Sequence, residues 1–384
     1  MNFELTEDQS LLRESVERLM REEYDFASRR KYLAEPKGWS EAMWRRYAAL
    51  GLLGLSIDER YGGSGMGSVE SMIVMEAFGR RLGLEPYLAT VILGAAAIRM
   101  AGTEEQKRTL LPEVAAGRRL LALAHGERSA RYTLAHVATR ARRDGTQWVL
   151  DGEKTLVLHG DCADTLIVAA RVSGDVGDEQ GISLFLVDAQ TAGVHRRAYA
   201  LQSDLRAADL TLRAVHVPDT ALLGESETGY PVLERVIDGA ISALCAEGVG
   251  ALDETLDLTV DYLKKREQFG VAIGSFQALQ HRAVDMLVAL EQARSMSYLA
   301  TMMGDEADRL ERCRGVAAAK VQFGRSARSI GQAAIQLHGG IGVTMEYSVA
   351  HYFKRTTTIE LLFGDADHHL SQVARLGGFV AART

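Results

Sequence analysis

The sequence predicts a mainly helical protein with a β domain at its centre. Three observations carry this: apolar residues recur at helical spacing from Thr6 to about Gly117, the period changes to alternation at about Leu120, and helical spacing returns after Gly224 and persists to the end. At 384 residues the chain is too long for one small core. The pattern divides it into an N-terminal helical domain over 1–118, a middle β domain over 119–224 and a C-terminal helical bundle over 225–384.

The first helix is announced by Thr6-Glu7-Asp8-Gln9, which has the form of a capping box, followed by Leu11, Leu12, Val16, Leu19 and Met20 at helical steps. Trp39 to Leu50, Ser68 to Leu82, Tyr87 to Ala101 and Glu104 to Ala116 read as further helices. Between them, Arg60-Tyr61-Gly62-Gly63-Ser64-Gly65-Met66-Gly67 holds part of a dinucleotide fingerprint. No predicted strand precedes it, so it reads as a flexible turn.

Trp148-Val149-Leu150, Thr165 to Arg171, Ile182 to Asp188 and Leu210 to Val217 read as strands, with turn chemistry at Asp144-Gly145 and Asp151-Gly152. Strands so closely spaced predict a compact, mostly antiparallel sheet or barrel. Ser173 to Gly181 is polar and glycine-bearing, a surface loop. Pro231–Lys265, Ser275–Met303, Cys313–Gly339 and Tyr347–Leu376 are each long enough to run the length of a four-helix bundle.

A net charge of -7 with 25% charged residues argues against nucleic-acid binding and against a polybasic membrane tail. The acidic start from Met1 to Glu7 has no signal-peptide layout, and the most apolar run, Leu84 to Ile98, contains Glu85 and Pro86. That run is shorter than the roughly 20 residues a spanning helix needs. A cytoplasmic location without membrane insertion is the expectation. Cys162, Cys245 and Cys313 lack paired spacing and read as inert thiols. His368-His369 stands without HExxH or CxxC neighbours and reads as a solvated tail, so no metal is expected.

The helix-sheet-helix order joins three motifs. Leu50-Gly51-Leu52-Leu53-Gly54-Leu55 leads to Tyr61-Gly62-Gly63, Arg266-x-x-Phe269-Gly270 precedes Phe276-Gln277, and Gln336-Leu337-His338-Gly339-Gly340-Ile341-Gly342 follows. Together they resemble the acyl-CoA dehydrogenase family of flavoproteins over essentially the whole chain. The resemblance implies that family's fold, with a middle antiparallel β-barrel and a C-terminal four-helix bundle. It also implies FAD bound across a subunit boundary, an acyl-CoA substrate and electron-transfer flavoprotein as acceptor.

Within that resemblance Arg266, Phe269, Gln277, Gln336, Gly339 and Gly340 would hold the ADP half of the flavin. The arginine fork suits a pyrophosphate, and the paired glycines let backbone N–H groups approach closely. Plainer readings stand beside these: a surface ion pair for Arg266 and a helix cap for Gly339-Gly340.

The family chemistry needs a carboxylate base in an apolar slot. The two positions where family members carry it correspond here to Phe363 and Ala240, neither of which can take a proton. The flavin-ring loops also depart: Gly126-Glu127-Arg128 replaces Thr-Glu-Pro, and Leu156-Val157-Leu158 replaces Trp-Ile-Thr. Glu247, in a lane with Ala246, Gly248 and Gly250, is the remaining candidate base, with Glu360 a weaker one. Its plainer reading is a glutamate bonded to a neighbouring helix.

Two enzymatic readings follow. One is a subunit of a heteromeric acyl-CoA dehydrogenase, similar to the small subunits of pimeloyl-CoA dehydrogenases, in which a homologous large subunit supplies base and ring loops. The other is a self-sufficient homo-oligomer using Glu247. A non-catalytic scaffold is the third reading.

Overall fold

The computed structural model describes residues 4–378. In chain order the elements are α1 (Glu7–Glu23), α2 (Phe26–Leu33), α3 (Glu41–Ala49), α4 (Ser68–Arg81), α5 (Ala96–Ala101) and α6 (Glu104–Ala115). The strands β1 (Leu121–Ala124), β2 (Arg140–Asp144), β3 (Gln147–Leu158), β4 (Thr165–Arg171), β5 (Ile182–Asp188), β6 (Val194–Ala200), β7 (Arg206–Pro218) and β8 (Leu222–Leu223) follow. Then come α7 (Gly229–Lys265), the short strands β9 (Glu267–Gln268) and β10 (Val271–Ala272), α8 (Gln277–Gly304), α9 (Arg309–His338), α10 (Val349–Leu361) and α11 (Ala366–Arg375).

The chain forms two compact units. Among the described residues, one comprises 4–31, 68–83 and 241–378. Here α1 starts at the predicted capping box, in which Gln9 N donates to Thr6 Oγ1 at 3.2 Å and Thr6 N to Gln9 Oε1 at 3.0 Å. The remainder of α7 meets α4 at backbone distance. A Cβ placed on Gly79 would collide with the Glu247 carbonyl, and one on Gly250 with the Glu76 carbonyl. Gly248 is closed off by the Phe323 ring. The small-residue lane therefore serves close helix packing.

The other unit comprises residues 32–67 and 84–240. Its sheet runs in the order β6-β7-β3-β2-β4-β5-β8. Most neighbours are antiparallel, as the alternating pattern predicts, whereas β1 pairs with β4 in parallel, Leu121 opposite Thr165. One face buries Trp148 against Phe185, edge to face at 5.4 Å, with Leu150, Leu166, Leu210 and Val215 around them. The Ser173–Gly181 loop is organised by buried Arg171, whose guanidinium donates to the carbonyls of Ala135, Val137, Ser173, Val176, Asp178 and Gln180.

Four expectations need correction. The segment Tyr347–Leu376 is two helices, broken at Phe363 and Gly364, which take φ of 58° and 116°. Residues 88–95 form a π-helix ahead of α5, and α2 carries too weak an apolar period to be predicted. The glycine-rich turn is tied down: the amides of Ser64, Gly65 and Met66 donate to the carbonyls of Gly54, Ile57 and Leu55. His369 is buried, not solvated, and its Nε2 donates to the Phe363 carbonyl at 3.0 Å. Among the described residues no helix is long and apolar enough to cross a membrane.

Candidate functional site

α7 runs out at Lys265, and the chain turns through the β9–β10 hairpin. Arg266 N donates to the Tyr262 carbonyl at 2.8 Å, and Ile273 N to the Arg266 carbonyl at 2.8 Å, so both ends of the hairpin are fixed. At its tip Phe269 takes a φ of 57° and is 92% exposed, touching Phe276 edge-on at 6.2 Å. Arg266 and Gln277 are also exposed, and the Arg266 guanidinium makes no ion pair with a described residue.

The second motif lies at the end of α9. Gly339 is the helix cap, its N–H donating to the Ile335 and Gln336 carbonyls, with φ at 63°. A Cβ on Gly339 or Gly340 would meet nothing within 4 Å, so this backbone faces open space, with Gln336 exposed one turn earlier. Tyr262 near the end of α7 stacks on His338 at the end of α9 with ring centroids 4.6 Å apart, and Tyr347 closes the cluster at 5.1 Å from His338. Burial lowers the His338 pKa, keeping its ring neutral for stacking. The stack holds both motif segments at one end of the bundle.

Glu247 is 5% exposed, and its Oε1 accepts from Arg355 Nη1 at 2.6 Å. Arg355, 2% exposed, also donates to the carbonyls of Leu82 and Gly83 at 3.4 and 2.8 Å. The pair thus pins α7, α10 and the end of α4 together. A general base needs a free oxygen lone pair within reach of substrate. The Glu247 Oε1 is directed at a sealed guanidinium. Glu360 is likewise engaged, accepting from Arg328 Nη2 at 3.3 Å.

At the positions corresponding to the family base, Ala240 is fully buried, and the Phe363 carbonyl is held by His369. The turn around Phe363 is fixed by Lys320, whose buried ammonium shares its three N–H groups among the carbonyls of Ile359, Glu360, Leu362 and Gly364 at 2.6–3.1 Å. In the β-bearing unit, Glu127 turns inward to buried Lys154 at 2.7 Å and takes the amides of Ala138 and Thr139. Burial alone would raise the Glu127 pKa, but the Lys154 charge and these donors hold it below the ordinary value. Leu156 lies 42% exposed at a φ of 54°.

Arg355, Lys320 and Lys154 were not singled out by the sequence. Each sits in a helix or strand pattern as one more charged residue, and nothing local marks it as buried.

Three domain descriptions match the chain in order. They are the acyl-CoA dehydrogenase N-terminal domain over 6–118, middle domain over 122–214 and C-terminal domain over 227–377. "Probable acyl-CoA dehydrogenase YngJ" of Bacillus subtilis (strain 168) is 30% identical over 380 residues, covering 98% of this chain and 99% of that protein. The chain belongs to the acyl-CoA dehydrogenase family. The ChsE4–ChsE5 complex from Mycobacterium tuberculosis superposes with a TM-score of 0.88 at 25% identity, covering 100% of both chains. A variant of the Tcur3481–Tcur3483 steroid ACAD does so at 0.87 and 30%, covering 96% of this chain and 97% of that one.

As a member of this family the chain is an FAD-dependent oxidoreductase acting on CH–CH donors. Its residues fit the two halves of FAD unequally. The open backbone at Gly339-Gly340 and the unpaired fork of Arg266 suit an ADP pyrophosphate. On the ring side, Glu127 is engaged by Lys154, and Leu156 and Leu158 carry no hydroxyl.

Proposed function

We propose that the chain is the flavin-clamping subunit of a heteromeric acyl-CoA dehydrogenase. In this reading Arg266, Phe269, Gln277, Gln336, Gly339 and Gly340 hold the ADP half of an FAD whose ring lies on a homologous large subunit. That partner supplies the base that removes the substrate's α-proton. FAD, when bound, supplies the acceptor for the β-hydride. This chain's own part is to bind and orient the diphosphate and to cover the partner's surface with the hairpin.

The observation that carries the reading is the Glu247–Arg355 pair. With Ala240 and Phe363 at the family positions and Glu360 engaged by Arg328, each candidate base position either lacks a carboxylate or holds one bonded to an arginine. A self-sufficient enzyme using Glu247 would require that pair to open and its arginine to stay buried without its counter-charge. The similar ChsE4–ChsE5 structure is itself a complex of two named chains, which supports a two-component assembly.

The remaining parts of the proposal are the division into 1–118, 119–224 and 225–384, a cytoplasmic location, and electron-transfer flavoprotein as acceptor. A dicarboxylyl- or sterol-side-chain-CoA substrate follows from the resemblance to pimeloyl-CoA dehydrogenase small subunits. The assay that tests the role of Glu247 is dehydrogenation by the co-purified assembly carrying Glu247→Gln. An unchanged kcat is expected, whereas a fall of about a hundredfold or more, the size lost with a general base, would restore Glu247 as the base.

A further inference from the structure

A second polar site lies in the β-bearing unit. The glycine-rich turn of the first motif, fixed by its backbone bonds, forms one wall of a pocket of about 270 Å³. Arg60, Arg99 and Lys107 line it together with the Ser56 hydroxyl. Asp58 is the one carboxylate in the lining, and it is already committed: Arg60 N donates to Oδ1 at 3.0 Å, and Arg60 Nε stands 3.5 Å from Oδ2. The Arg60 guanidinium rests over the Tyr61 ring at 4.8 Å, and Tyr61 donates to Glu104 at 2.9 Å, which orients the ring beneath it. Lys107, half-buried on α6, has no side-chain partner among the described residues.

Arg60, Arg99 and Lys107 set three cations in one lining that holds a single carboxylate, Asp58. Planar arginine forks beside a lysine point charge and a hydroxyl form the donor set that phosphate oxygens accept from. The volume holds a phosphate with a few waters or a small ester, and lies below the roughly 300 Å³ at which drug-sized pockets begin.

We infer that this pocket binds a phosphate dianion, either free or as the terminal group of a monoester, through Arg60, Arg99 and Lys107. The inference is independent of the flavin-clamp reading and holds or fails separately from it. The test is calorimetric titration of the full-length protein with inorganic phosphate, and in a second arm with phenyl phosphate, in a chloride buffer of constant ionic strength. Saturable 1:1 binding is expected, and the tighter of the two probes tells which source the site prefers.

Lys107→Met and Arg99→Gln should each raise Kd about tenfold, the loss expected when a charge-assisted hydrogen bond is removed. Lys107→Arg keeps the charge and should keep binding, which separates a lost cation from a folding defect. Arg142→Gln, an exposed change on β2, should leave Kd alone. Absence of saturable binding by about 10 mM of either probe, weaker than the roughly −4 kcal/mol of a millimolar site, would overturn the assignment. So would equal Kd values in the Lys107→Met, Arg99→Gln and Arg142→Gln proteins.

Discussion

Arg355 reaches across from α10 and donates to Glu247 on α7 at 2.6 Å, both side chains sealed from water. The carboxylate that the sequence offers as a base is thereby engaged in a buried ion pair. Glu247→Ala strands a buried guanidinium and should cost about 3–5 kcal/mol of unfolding free energy, the range for breaking a buried pair. Glu247→Leu combined with Arg355→Met should recover about half of that loss, because contacting residues are non-additive. Urea midpoints of the single and double variants check both statements.

Lys320 organises the turn at Phe363, and burial brings its pKa down to about 8. Lys154, also desolvated, stands at about 8. Because the folded value lies below the ordinary one of 10.5, the unfolded chain holds protons that the folded chain has released between about pH 8 and 10.5. The lysine contribution to stability therefore rises with pH across that window, by at most about 1.4 kcal/mol per pH unit for each lysine. Burial raises the thiol pKa of Cys162 and Cys245 from 9.0 to about 12 and also raises the phenol pKa of Tyr87 and Tyr352, which opposes the trend above about pH 9, so the rise is best read from pH 8 to 9. Denaturation of Lys320→Met over that range should show about half the slope, one of two protons being gone. It should also start from a lower stability, since four carbonyls lose their donor.

Gly79 faces the Glu247 carbonyl so closely that no Cβ fits without shifting α4 from α7. Gly79→Ala should lose about 1–3 kcal/mol as an overpacked contact. Gly239→Ala, on the same α7 but with nothing within 4 Å of the new carbon, should gain about 0.4–1 kcal/mol through the unfolded state. Thermal melts of the two proteins should move in opposite directions.

On the flavin side, Arg266→Ala removes an exposed fork without touching a described ion pair. FAD retained by the co-purified assembly should fall, with Kd rising about tenfold or more for the lost charge-assisted bonds. Flavin absorbance after gel filtration reads this directly, and the melting of the chain alone should stay unchanged.

Much of the architecture was legible because it is written in short-range patterns. The Thr6–Gln9 box, the switch from helical to alternating period and the long apolar faces of α7 to α9 are local features, and the structure places them where the pattern does. What was hidden depends on partners far along the chain. The small residues around Glu247 are compatible with either a ligand slot or helix contact, and only the positions of the α4 backbone and Phe323 decide between them. Arg355 lies 108 residues from Glu247, and Lys320 about 40 from the carbonyls it binds, with no spacing rule connecting either. The break between α10 and α11 was missed for the same reason: the caged ammonium and His369, which stabilise a turn there, come from elsewhere in the sequence or fold back onto it.

The central claim is that one FAD is shared between this chain and a different one. Its most direct measurement is the number of FAD molecules per chain, counted from flavin absorbance and protein mass, in the complex co-expressed with its homologous partner and in this chain purified alone. One FAD for each pair of unlike chains, with the chain alone colourless and inactive, is the predicted result. One FAD for every copy of this chain in an active homomeric preparation would contradict it.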